Sequence, residues 1–323
     1  MTMVGNSIDP FKPGSTRTIV SPVTQNQLRP LEAHCRVVIL ETALSDQEHA
    51  LVADFLKSYP NQRVSIGGRE LQNVSFLKHY PFLTHIRIGL WFLNDLSGIE
   101  SLSEKLEILE LGGTKSESLS LSMLGKFKNL KSLNIEGSFK DFLTIKKLHQ
   151  LERLNLRSFT LPNLKAIDTL GNLMWLHIGL GGTKSLAGIS NFEKLREIQL
   201  WKIRGLADLN EIGRIESLEK LSLSELKQTT SLPSFERLNK LKRLYLYCLK
   251  GVSDLSPISA ATELEELLVL NCHHFEIKDF QPLAGLKKLR RGLISIGGKK
   301  KNSAVEALLH LEKINSGQTP QPT

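Results

Sequence analysis

An α/β solenoid of short tandem repeats, with a cap at each end, is the fold this chain predicts. Three observations carry that reading. A unit of 21 to 25 residues recurs between about residues 61 and 294 of the 323. Each copy is centred on the pattern Leu-x-x-Leu-x-Leu. Within a copy the apolar spacing switches from every second residue to every third. Self-similarity at a fixed period of this length is the signature of a repeat architecture.

The cleanest copies run from Leu106/Leu109/Leu111 and Leu130/Leu133/Ile135 to Leu241/Leu244/Leu246 and Leu264/Leu267/Val269. Two weaker copies precede them, Val64/Ile66 and Leu83/Ile86/Ile88. A distorted one follows, with Leu289 and Ile294 in phase but Gly292 where the middle Leu belongs. The alternating half, as in Leu-Tyr-Leu-Tyr at 244–247, has the period of a strand with one buried face. The other half steps by three, as in Leu164/Ile167/Leu170 and Leu209/Ile212/Ile215. That step suits a 3₁₀ or other tight helical turn, whose side chains eclipse at i and i+3. No single unit can bury its own apolar edge, so neighbours must stack into one elongated core with the strands aligned as a parallel sheet on the concave wall. A helix bundle would need apolar runs at 3.6-residue spacing over ten or more residues, and the array has none.

The stretch Val252-Ser-Asp-Leu-Ser-Pro-Ile-Ser-Ala-Ala-Thr-Glu-Leu-Glu-Glu-Leu-Leu-Val269 resembles the leucine-rich repeats of internalins and of protein phosphatase regulatory subunits, and Ile277–Leu286 echoes it. The resemblance covers about residues 61–297. It implies a leucine-rich repeat solenoid with a curved, parallel, concave sheet and short helical or 3₁₀ turns on the convex side. That family usually carries Asn three positions after the last Leu of the strand. Here those positions hold Trp91, Thr114, Ser138, Phe159, Gly181, Ile203, Leu226, Leu249 and Cys272, so the turns must be satisfied in another way.

The ends differ from the array. Residues 1–30 are rich in Pro, Ser, Thr, Asn and Gln without periodicity and read as a mobile tail. Residues 31–60 read as an N-terminal cap: Cys35–Leu40 is a candidate strand, and Ser45-Asp-Gln-Glu48 is a capping box opening a helix that runs to about Tyr59 and stops at Pro60. The repeats occupy 61–297, in ten to eleven units. Residues 298–316 read as a C-terminal cap with a helix opened by Ser303–Glu306, and 317–323 as a second tail. No window approaches 18 consecutive apolar residues, so no membrane insertion is expected. The N-terminus lacks a charged-then-apolar leader pattern, and Cys35, Cys248 and Cys272 suggest no disulfide framework. The expectation is a reduced, cytoplasmic, monomeric protein.

The formal charge of +9 is uneven. Lys287, Lys288, Arg290, Arg291, Lys299, Lys300 and Lys301 form a basic edge with no acid between them. Such an edge suits nucleic acid or an acidic surface, or else blocks end-to-end association of sheets. The lack of aromatic residues between 286 and 301 weighs against a nucleic-acid groove.

Chemistry-bearing motifs are sparse. Gly112–Ser116 and Gly181–Ser185 both read Gly-Gly-Thr-Lys-Ser but lack the order of a phosphate-binding loop, and they are read as repeat turns. Cys272-His273-His274 has no second ligand pair at zinc spacing. No catalytic residue, metal or cofactor is expected.

The residues between the buried Leu positions project from the concave wall in columns. One reads Asn155, His177, Gln199, Ser222, Tyr245, Leu268; its neighbour reads Arg157, Gly179, Trp201, Ser224, Tyr247, Leu270; a third holds Arg153, Trp175, Glu197, Lys220, Arg243 and Glu266. Of three Trp and four Tyr in the chain, two of each fall here. Trp, Tyr and Arg dominate binding hot spots because they bury large area and keep a polar handle. The candidate partner-binding residues are therefore Arg157, Trp175, His177, Gln199, Trp201, Arg243, Tyr245, Tyr247 and Leu268. The expected function is non-enzymatic recognition of a protein partner through the concave face, as a bacterial cytoplasmic adaptor or an immunity-type inhibitor. Nucleic-acid binding by the basic edge and regulation of a phosphatase or other enzyme are the alternatives.

Overall fold

The computed structural model describes residues 16–41, 43–67, 71–89, 93–113 and 118–313. They form two compact units divided after Leu151. In the first, six strands follow chain order and pair in parallel: β1 (Thr16–Ile19), β2 (Val37–Leu40), β3 (Arg63–Ile66), β4 (His85–Ile88), β5 (Ile108–Leu111) and β6 (Ser132–Glu136). In the second, β7 (Arg153–Arg157), β8 (Trp175–Gly179), β9 (Glu197–Trp201), β10 (Lys220–Ser224), β11 (Arg243–Tyr247), β12 (Glu266–Leu270), β13 (Arg291–Ser295) and β14 (Glu312–Lys313) do the same. Short 3₁₀ turns such as Leu164–Ile167, Asn210–Arg214 and Ser256–Ala260 return the chain between strands. This is the leucine-rich repeat fold the spacing predicts.

The repeat register is exact in the second unit. Leu154, Leu176, Ile198, Leu221, Leu244 and Leu267 lie side by side, and each is fully buried. Burying a Leu or Ile side chain contributes about 1.5–3 kcal/mol, so each repeat adds its stabilisation only when its neighbours cover it. Gly292 interrupts the column for a reason. A Cβ there would sit 2.7 Å from the Leu267 carbonyl and 2.7 Å from Leu311 Cδ1, so the missing side chain makes room for Leu311 beyond the last full repeat.

The missing Asn side chains are replaced by backbone. After each strand from β7 to β12 one residue turns left-handed, with φ between 49° and 59°: Ser158, Leu180, Lys202, Glu225, Cys248 and Asn271. The first five donate their N–H forward to the carbonyl that closes the next strand, at 2.8–3.0 Å. The following residue then points inward, which is why Ile203, Leu226, Leu249 and Cys272 are buried. Each such turn carries an αL cost of about 1 kcal/mol that the inter-strand bond offsets. In the first unit the bonds run backward instead, from Gly67, Gly89 and Gly112 to the preceding strand.

The caps depart from the sequence reading in two places. Residues 16–30, read as part of a tail, contain β1; its four residues alternate exposed and buried, too short a run to register as a pattern among polar residues. The C-terminal helix α2 spans Lys299–Leu308 rather than opening at Ser303, because Gly298 takes the N-cap position and the backbone N–H of Asn302 donates to the Gly298 carbonyl, closing the first turn. The N-terminal helix α1 (Asp46–Leu56) carries the capping box of Ser45 and Glu48. The remaining tail residues, 1–15 and 314–323, lie outside the described residues, as do Trp91 and residues 114–116 of the first Gly-Gly-Thr-Lys-Ser. Among the described residues no helix is long and apolar enough to cross a membrane.

Candidate functional site

The open face of the sheet in the second unit gathers the predicted partner-binding residues, since outward positions of paired strands fall into register. Its first row joins side chain to side chain across seven strands. The Arg153 guanidinium lies 4.5 Å from the Trp175 ring centre. Trp175 bonds the Glu197 carboxylate, which also takes Lys220 at 2.8 Å and Gln199 at 2.7 Å. Lys220 Nζ sits 5.2 Å from the Tyr245 ring centre, the Tyr245 hydroxyl donates to Glu266, and Glu266 pairs with Arg291 at 3.3 Å. Burial alone would raise the Glu197 carboxyl, but Lys220 and the bonds from Gln199 and Trp175 bring it below the usual value. The Tyr245 phenol moves up through burial and its bond to Glu266.

This ladder decides which predicted residues face solvent. Trp175, Gln199, Trp201 and Tyr247 are half-buried, and Arg243 is exposed. Tyr245 is 9% exposed, locked between Lys220 and Glu266. Leu268, expected as apolar surface, is 2% exposed because it lies between Tyr245 and Leu293 in register. Tyr247 is steadied by the Asn271 amide, which donates to its hydroxyl at 2.9 Å. Trp201 is held by its Nε1–H to Glu225 at 3.2 Å, with Lys202 and Arg157 over its ring at 5.2 and 5.4 Å.

His177 is the least expected member of the face. It is 2% exposed, and neither ring nitrogen has a hydrogen-bond partner. Trp175 meets its ring edge-on at 5.9 Å. Burial and the charge of Arg157 depress its pKa to about 4, so the ring is neutral at ordinary pH. Polar atoms of Asn155 and Ser224 on this face, Oδ1 and Oγ, are likewise buried without a hydrogen-bond partner in the protein. Buried polar groups are nearly always hydrogen-bonded, so each of these atoms has capacity for a further bond, to water or to a ligand. Sequence reasoning missed Asn155 and Ser224; their position in the outward columns was the available signal.

The other motifs fold into the scaffold. Thr183 of the second Gly-Gly-Thr-Lys-Ser is fully buried, and its hydroxyl accepts the Leu161 N–H at 3.1 Å. Cys272 is buried, Cys248 half-buried, and His274 Nε2 contacts the Val252 carbonyl at 2.7 Å. Of the basic edge, Lys288 pairs with Glu263, Arg291 with Glu266 and Lys301 with Glu276, at 2.5, 3.3 and 2.8 Å. Lys287, Arg290, Lys299 and Lys300 are exposed. Lys299–Lys301 fill the first turn of α2, where positive charge opposes the helix dipole.

Among solved structures the chain is similar to an internalin of Listeria monocytogenes, at 17% identity and a TM-score of 0.56, covering 90% of this chain and 88% of that one. It is also similar to a chain in the Toll–Spätzle complex of Drosophila, at 18% identity and a TM-score of 0.61, covering 84% of this chain and 38% of that one. These likenesses show the leucine-rich repeat fold, and the fold alone. No described family profile matches the chain. No curated protein matches it either.

Proposed function

We propose that the open face of the second unit binds a protein partner, with Trp175, Trp201 and Tyr247 as anchors and Arg153, Arg157 and Arg243 as polar contacts. The observation that carries this is the ladder. Each half-exposed aromatic ring is already held by a neighbour, so its ordering entropy is lost on folding rather than on binding. Rigid aromatic and Arg side chains of this kind supply most of the energy in protein interfaces. A leucine-rich repeat neighbour solved as part of a complex agrees with a binding role for the fold. By general analogy of fold we read the role as that of a bacterial cytoplasmic adaptor or immunity-type inhibitor, which acts by covering a working surface of its partner. Ion pairs on three cations of the basic edge leave the face as the stronger surface.

Site-directed photocrosslinking in the native host tests this. A benzoylphenylalanine placed at Tyr247 is expected to give a discrete adduct, while one at exposed Asn210, on a 3₁₀ turn, gives none. Adducts from position 210 alone would reject the face.

A further inference from the structure

A pocket of about 420 Å³ opens in the first unit, between the start of α1 and the segment that leads into the 3₁₀ turn Ser75–His79. Its volume lies in the range of small-molecule sites, about 300–1,000 Å³. Leu44, Leu71 and Phe76 give it an apolar lining, and Asp46 and His49 give it a polar one. Those two stand three residues apart on α1 and so share one face of the helix. His49 sets the chemistry. Its ring is 3% exposed, stacks on Phe76 at 4.2 Å with 3° between the planes, and places Nδ1 3.0 Å from the Tyr80 hydroxyl. That hydroxyl is buried with no other partner among the described residues, so it donates to Nδ1. Burial raises the phenol pKa and, with the charge of His79, holds the imidazole at about 4. The ring is therefore neutral and its proton sits on Nε2. Nε2 has no hydrogen-bond partner among the described residues, yet it is not sealed in as the nitrogens of His177 are, and the pocket is the space it reaches.

We propose that this pocket binds a small uncharged carboxamide, whose carbonyl oxygen accepts the His49 Nε2–H and whose N–H turns to the Asp46 carboxylate, with its apolar body against Leu44, Leu71 and Phe76. The site shares no residue with the open face of the second unit. Charge decides against other ligands. Asp46 takes Lys78 Nζ and His79 Nε2 on Oδ1, each at 2.8 Å. A carboxylate has about four acceptor positions, so capacity for a ligand N–H remains. The bonds from His79 and Lys78 hold its pKa at about 2, which keeps it ionised and disfavours a carboxylate or phosphate ligand. A cation would match Asp46, but Lys78 already supplies that charge, and the His49 donor would stay unmatched. A carboxamide carries one acceptor and one donor side by side, the pair that His49 and Asp46 complement.

The test uses the full chain, labelled with nitrogen-15 at histidine and followed by NMR while benzamide is added. Benzoate and benzamidine serve as controls of the same shape, one offering acceptors alone and the other donors alone. The His49 ring is identified by its through-space contacts with Phe76 and Tyr80. A saturable movement of its Nε2 signal with benzamide, at least several-fold weaker with benzoate and with benzamidine, is expected. Leu71→Trp fills the pocket from a half-buried position without touching either polar group and should abolish the movement. His49→Phe keeps a ring on Phe76 but loses the donor, and should weaken benzamide binding, read from the ligand's own signals, at least several-fold. Should either variant fold poorly, the comparison of the three probes on the wild-type chain still decides. No movement with benzamide, equal movement with benzoate or benzamidine, or undiminished binding in folded Leu71→Trp would overturn the proposal.

Discussion

Replacing His177 with Phe should remove a defined share of the protein's acid sensitivity. The imidazole is buried and neutral, with a pKa of about 4 against about 6.5 in an unfolded chain. Between those values the unfolded state binds more protons than the folded one, so stability rises with pH. The contribution is complete above about pH 6.5 and is lost as pH falls toward the folded value. For one group with these two values the loss is about 2 kcal/mol at pH 5 and about 3 kcal/mol once both states are protonated. His49 in the first unit, 3% exposed and also held near 4 by burial and then by His79, contributes a similar share. Urea unfolding at pH 7.5 and pH 5 in a Trp91→Phe background, followed by the fluorescence of Trp175 and Trp201, reports on the second unit. His177→Phe should match or slightly exceed the wild type at pH 7.5, since it replaces an unpartnered polar ring by an apolar one. Its loss on acidification should be smaller by about 2 kcal/mol. An identical loss in variant and wild type would show that His177 is not the buried, neutral group described above.

Three further substitutions probe the scaffold. Gly181→Ala would place a Cβ 1.9 Å from the Phe159 carbonyl oxygen, so its thermal midpoint should fall sharply, whereas Gly171→Ala, with nothing within 4 Å, should be nearly neutral. Ser158→Gly relieves a left-handed turn at φ 55° on an exposed residue and should raise stability in urea by up to about 1 kcal/mol. Tyr245→Phe deletes the hydroxyl bonded to Glu266 and should cost about 1.5–3 kcal/mol, the range for a bond to a charged group, leaving the circular dichroism spectrum unchanged.

The strands and 3₁₀ turns were readable because each has its own apolar period, and stacking then fixes the register of every outward column. The same logic could not reach β1 or β14, whose four and two residues are too few to show a period. Nor could it reach the left-handed column, because Ser158, Leu180, Lys202, Glu225, Cys248 and Asn271 share no chemistry. The inter-strand ladder imposes that conformation. At the candidate site, outward direction was legible but exposure was not. Leu268 is covered by Tyr245 and Leu293, and His177 lies beneath neighbours that only the pairing of β7, β8 and β9 brings together. Register is a property of one strand and its pattern. Burial on an open face depends on how long side chains from several repeats lean on one another.

Comparative affinity capture from the native host's lysate tests the central claim most directly. The baits are wild type, Trp201→Ala/Tyr247→Ala, and a basic-edge variant with Lys287, Arg290, Lys299 and Lys300 changed to Ala, each shown to be folded by circular dichroism. A protein retained in high salt by wild type and the basic-edge variant, and lost from the Trp201/Tyr247 variant, is the predicted result. Equal retention by all three, or loss from the basic-edge variant alone, would contradict it.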